Sequence, residues 1–194
     1  MKRTGFTSAP CLLLGVLLAL STRPTLADPL HKFGTAGAWV HVDSGWQFPQ
    51  AIGDFAREAQ PYNIDGNNDA GVEYRQASGL LAEVQVYAAD SAATDATLAG
   101  AKATAAGKAG EAASLESEQP FQLDGVTGAS GVKITYAPKQ AAGVRTHLYY
   151  FTTDHWRVKV LASTRGGGKD ADLELDAFVQ ALPWSTLGTN PGLH

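Results

Sequence analysis

Sulfur is nearly missing from this chain. Of 194 residues one is cysteine, Cys11, and one is methionine, Met1. Both stand in the first 27 residues, so the remainder can form no internal disulfide, present no thiolate nucleophile and bind no zinc through cysteine. Basic residues are few as well. Fifteen Lys and Arg against 19 Asp and Glu give a formal charge of −4 with no clustered basic stripe, which argues against nucleic acid and anionic lipid as partners. Long hydrophobic runs are also lacking. The longest, Cys11 to Leu20, has ten residues and would span about 15 Å as a helix, roughly half the hydrocarbon core of a bilayer. No stable membrane span is expected. With 21 Gly and 9 Pro the chain falls short of a low-complexity composition. Its 44% hydrophobic and 18% charged residues fit one modest folded domain.

The N-terminus has the layout of a cleavable export signal. Met1-Lys2-Arg3 is basic, the Leu-rich run comes next, and Thr25-Leu26-Ala27 places small residues where signal peptidase cuts. Cys11 precedes the apolar run, the wrong side for a lipid-modified cysteine. Cleavage near Ala27 removes three bases and no acid, and predicts a more acidic, sulfur-free periplasmic or secreted protein. Residues 28–37 read as a flexible lead-in, 38–184 as a single α+β domain and 185–194 as a flexible tail.

Hydrophobic period organises the domain. Ala38–Val42 reads as a short strand ending at Asp43-Ser44-Gly45, and Phe48–Phe55, punctuated by Pro49 and Gly53, reads as an edge strand or loop. Tyr62–Asp69 reads as a turn around Asp65-Gly66. Gly71–Gln76 and Leu80–Ala88 alternate and are joined by Ala77-Ser78-Gly79, which predicts a hairpin. Eleven of the 22 residues from Ala92 to Ala113 are alanine, so the one long helix belongs here, with a small-residue stripe through Leu98, Ala101, Ala105, Ala109, Ala112 and Leu115. Period two then returns in Phe121–Asp124, Gly131–Ala137, Val144–Thr152 and Trp156–Ser163. Gly166-Gly167-Gly168 ends this stretch. A second helix is then capped by Asp170 or Asp172, with Leu175, Phe178, Val179 and Leu182 on its buried side and Pro183 as its stop. The expected fold is α+β, a single antiparallel sheet with the Ala-rich helix and the C-terminal helix packed on it.

Trp46-Gln47-Phe48-Pro49, Gly71-Val72-Glu73-Tyr74 leading into Ala82–Tyr87, and Trp156–Val160 with Phe178–Trp184 after it resemble the PsbP-like α+β fold of secreted bacterial proteins. The resemblance spans about residues 39–184 and implies a fold. It carries over no functional residue, because each piece is a core pattern.

Chemistry-bearing residues are scattered. In Val144–Thr152 the residues Arg145, His147, Tyr149 and Phe151 share one strand face, half polar and half aromatic. If open, that row would make a ligand-binding surface for a partner protein or a small apolar ligand. His41, Asp43, His147 and His155 carry metal-binding chemistry, and an envelope metal protein or metal-dependent hydrolase built on His41, His147 and His155 is the competing reading. No His-x-x-x-His spacing places two of them on one helix face. Ser130 lacks the Gly-x-Ser-x-Gly frame, and Glu116 with Glu118 reads as a solvated segment. Asn63–Asp69 fails the EF-hand frame, and Gly166–Lys169 fails the phosphate-loop frame. No catalytic residue and no cofactor are expected. The reading is an exported, non-catalytic binding or accessory module.

Overall fold

The computed structural model describes residues 30–33, 37–64, 69–139, 143–165 and 169–188. Residues 1–27, where an export signal is expected, the centre of the Asn63–Asp69 loop, the triple glycine and residues 189–194 lie outside them. The chain runs through β1 (Leu30–Phe33), β2 (Ala38–His41), β3 (Gln47–Phe48), β4 (Ala51–Ile52), β5 (Phe55–Arg57), β6 (Tyr62–Ile64), β7 (Asp69–Gln76), β8 (Leu81–Ala88), α1 (Leu98–Ala109), β9 (Ala113–Pro120), β10 (Ser130–Pro138), β11 (Val144–Thr152), β12 (Trp156–Arg165) and α2 (Lys169–Gln180). The class is α+β with antiparallel pairing throughout, as expected.

There are two sheets where one was expected. A small sheet has the order β1-β2-β3, and a nine-stranded sheet runs β4-β5-β7-β8-β12-β11-β10-β9 with β6 added to β7. Pro49 separates them. It has no N–H to continue a ladder, so β3 ends at Phe48 against Trp39, and the chain joins the large sheet only at β4. The lead-in contributes β1, which pairs with β2. Part of the tail is also held, since the Gly188 N–H donates to Ser44 O at 2.7 Å.

The large sheet is two-sided because most of its strands alternate apolar residues on both faces. Val72 and Tyr74 of β7 stand opposite Val84 and Ala82 of β8, so these four share a face. With Val158, Val160, Tyr149 and Phe151 they form the main core against Leu175, Phe178, Val179 and Leu182. Trp46 closes that core, with its ring 5.2 Å from Trp184 in an edge-on arrangement. The opposite face puts Ile134, Leu148, Tyr150 and Leu161 against Ala101 and Ala105 of α1.

The Ala-rich helix is shorter than its composition suggests. Thr97 caps it by accepting from the Gly100 N–H at 3.1 Å, and Gly110 stops it at φ +88°. Ala112 and Leu115 are therefore not on its stripe. The chain enters β9, which pairs with β10, and Leu115 is 55% exposed. The strand expected over Phe121–Asp124 lies one segment earlier, at β9. Its edge position, one partner and mostly solvated side chains, removes the apolar alternation that would have marked it. Helix α2 begins at Lys169, so Asp170 and Asp172 stand in its first turn, where acid complements the helix dipole, and neither is the cap.

Gly100 is required by proximity. A Cβ there would sit 2.0 Å from Thr94 O and 2.7 Å from Thr94 C, while one at Gly107 would meet nothing within 4 Å. Gly100→Ala is expected to lower unfolding free energy by about 2 kcal/mol or more. Gly107→Ala is expected to raise it by about 0.5–1 kcal/mol. Urea titration of both variants checks the pair, and equal effects would contradict this packing.

Candidate functional site

Strand alternation places Arg145, His147, Tyr149 and Phe151 on one face of β11, as the sequence implies, but α2 covers that face. His147, Tyr149 and Phe151 are buried, so the row is an interior seam and not an open surface. The reason is tertiary: α2 carries Asp172 and Asp176 one turn apart, and both reach down to the row. Arg145 donates from Nε and Nη2 to the two Asp172 oxygens at 3.3 and 3.2 Å, and its Nη1 lies 2.5 Å from Glu116 Oε2. The Tyr149 hydroxyl and Lys133 Nζ both donate to Asp176 Oδ1 at 2.6 Å. Phe151 packs on Trp184 with ring centres 4.6 Å apart.

His147 sits at the centre of the seam. Its Nδ1 is 3.2 Å from Thr135 Oγ1. Its Nε2 is 3.0 Å from Asp172 Oδ1 but makes no hydrogen bond among the described residues. Burial pulls the His147 pKa down to about 4, with Lys133 and Arg145 acting the same way and Asp172 opposing them. The imidazole is therefore neutral at pH 7. Burial, together with the hydrogen bond to Asp176, pushes the Tyr149 phenol up, so it stays protonated and donates.

The metal-type residues do not converge. His41 is buried, bonded through Nδ1 to Ser44 Oγ at 2.7 Å, with its ring edge-on to Trp156 at 5.6 Å. Asp43 lies in the turn after β2, and His155 is exposed in the β11–β12 turn. His155 lines a recess of about 270 Å³ with Asp154, Trp156 and Trp184, whereas His147 is held beneath α2. Among the described residues no three His, Cys, Asp or Glu side chains are grouped so as to hold a metal ion.

The open site lies on the other face of the same strands. Where α1 begins, a cavity of about 430 Å³ is walled by Leu98, Val132 and the Tyr150 ring, with the hydroxyl-bearing Thr97, Ser130 and Thr152, and with Arg157. Its volume falls within the range of small-molecule pockets. The wall is pinned. The Tyr150 hydroxyl donates to Ala96 O at 2.6 Å and Arg157 Nη1 donates to the same oxygen at 3.1 Å. One residue earlier, Asp95 takes buried Lys159 at 2.6 Å and the Thr104 hydroxyl at 2.6 Å. Burial drives the Lys159 pKa down and the bond to Asp95 opposes this, so the pair tethers the start of α1 to the sheet.

A second recess of about 610 Å³ lies at the far end of α1, where Arg75, Lys108, Ser78 and Ser163 line it. Both of its cations are already answered by carboxylates, Arg75 by Glu58 at 3.1 Å and Lys108 by Glu83 at 2.8 Å. Arg157 differs, because among the described residues the one hydrogen bond of its guanidinium is to the Ala96 carbonyl and no acid lies within ion-pair distance of it. Sequence reasoning missed Arg157 and the cavity. The signal within reach was the second register of the hairpin, Tyr150 and Thr152 beside Arg157, on the face opposite the Arg145–Phe151 row.

The seam gives a pH prediction. His147 titrates at about 4 when folded and near 6.5 when unfolded, so between those values the unfolded chain binds more protons. Stability should therefore be lost as pH falls from about 6.5 toward 4, by about 2 kcal/mol between pH 7 and pH 5. His147→Gln should flatten that segment in urea titrations at the two pH values. An unchanged slope would show that His147 is not the group responsible.

No protein-family model and no curated protein matches this chain.

Proposed function

We propose that residues 1–27 direct export and that the remaining domain serves in the cell envelope as a binding or accessory module, holding a small, largely apolar ligand between α1 and strands β10–β12. Export is supported by the basic start, the apolar run and the small residues ending at Ala27. Among the described residues no helix is long and apolar enough to cross a membrane. The PsbP-like resemblance belongs to the same proposal and bears on fold alone.

The observation that carries the binding reading is the lining of the cavity where α1 begins. Its walls are apolar side chains and hydroxyls, and its single charged lining group is Arg157. A guanidinium stays charged at neutral pH and moves no proton there. Burial raises the Tyr150 phenol above its ordinary range, so it too keeps its proton. Ser130, Thr97 and Thr152 have no base among the lining residues to activate them. Such a site can hold and orient a molecule, but it supplies neither an acid–base pair nor an activated nucleophile. Pinning by Tyr150, Arg157 and Lys159 keeps the pocket formed without ligand, which lowers the ordering cost of binding. The metal-dependent alternative on His41, His147 and His155 has no comparable support, since two of those rings are buried in separate hydrogen-bonded settings.

Two measurements test this. N-terminal sequencing of the protein recovered from the envelope or medium should read from Asp28, and a chain still starting at Met1 would overturn export. Nile red, a neutral apolar dye, should bind saturably with one site per chain. Thr152→Trp, at an exposed position lining the cavity, should weaken that binding at least tenfold while leaving thermal unfolding within a few degrees of the parent. Undiminished binding by the filled variant would place the dye elsewhere and remove the cavity reading.

A further inference from the structure

We infer that the ligand of this cavity is an amphiphile with one anionic head, a carboxylate or a phosphate monoester, seated on Arg157 with its apolar body against Leu98, Val132 and the Tyr150 ring. The inference rests on the binding reading above and adds the chemical class.

Arg75, Lys102, Lys108, Lys133, Arg145 and Lys159 each have a carboxylate within ion-pair distance, and Lys139 is exposed to water. Arg57 spends both ends of its fork on the Phe48 and Gly37 carbonyls. Arg157 lies on a cavity wall and is held only through Nη1 on Ala96 O. That bond fixes the direction of the planar fork and leaves its Nε and Nη2 donors without a protein partner among the described residues. A half-buried guanidinium with free donors in a mostly apolar recess is complementary to a carboxylate or phosphate, which it can take by two parallel hydrogen bonds. No lining residue carries negative charge to compete for it. The first turn of α1, at Thr97 and Leu98, lines the same cavity, and its dipole has the sign that favours an anion. The apolar walls set the other half of the ligand. A compact inorganic anion would leave Leu98, Val132 and the Tyr150 ring facing water, whereas an alkyl or aryl body would cover them. The neighbouring recess at Arg75 and Lys108 lacks this character, because its cations are neutralised in place.

The test uses protein purified after expression of the full chain, with decanol, decanoate and decyl phosphate as matched probes in calorimetry or Nile red displacement. Decanoate or decyl phosphate should bind at least tenfold more tightly than decanol, and whichever anion is tighter identifies the head group. Arg157→Gln should bring both anions to the level at which the same variant binds decanol, so that the preference for an anionic head is lost whatever the variant's affinity for decanol. Arg157→Lys should retain part of the preference, since it keeps the charge and loses the fork. Anion affinity should fall as salt rises, while that of decanol should not. Equal affinity for all three probes would overturn the anionic head and leave the apolar cavity standing, and no binding of any probe would remove both. If Arg157→Gln does not fold, the three-probe comparison on the parent protein decides alone.

Discussion

The antiparallel pairing of β12 with β8 is the contact on which the rest of this molecule depends. These strands are far apart in the chain, and their register from Trp156 opposite Ala88 to Ser163 opposite Leu81 welds the N-terminal hairpin to the C-terminal meander. The segment between them must leave the sheet and return, and it does so with α1 on one face. Helix α2, next in the chain after β12, covers the other face. Strand alternation then sends every central residue to one helix or the other. The two-faced burial of Val158 and Val160 beneath α2 and of Leu161 beneath α1 is a consequence of that single pairing.

The two faces have different electrostatic characters. Beneath α2 the charges are matched: Asp172 and Asp176 answer Arg145 and Lys133, with His147 neutral among them. Lys133 is buried, so removing Asp176 would leave its charge uncompensated, and the seam constrains where α2 can sit. Beneath α1 the buried Lys159 is matched by Asp95, but Arg157, its neighbour on the same face of β12, lines a cavity where no acid among the described residues meets it. A cation matched internally holds the fold together. One left facing a recess is the group on which the proposed anionic ligand would sit.

Much of the architecture could be read from residue pattern. The hairpin around Ala77-Ser78-Gly79, strand β11 to the residue, the start of β12 and the apolar side of α2 all arise from period two or period 3.6 with ordinary turn residues between them. Strand β9 did not, because Ala112 and Ala113 extend the composition of the helix, and the polar Ser114, Glu116 and Glu118 alternate only with respect to a partner strand. The small sheet was legible only in β2, which falls within the strand expected over Ala38–Val42, since β3 has two residues and acquires strand character only from β2.

The candidate site divides in the same way. Local pattern determined that β11 has two dissimilar faces, that Arg145, His147, Tyr149 and Phe151 share one of them, and that the chain offers no cysteine chemistry beyond its first 27 residues. Which face would be roofed by a helix and which would keep a recess was decided only by tertiary structure. A two-residue period is symmetric between the sides of a sheet, and a helix chooses its side through contacts such as Asp172 with Arg145 and Asp95 with Lys159, whose partners lie tens of residues apart. The isolation of Arg157 belongs to the same class of fact, since a side chain lacks a counter-ion only in relation to everything folded around it.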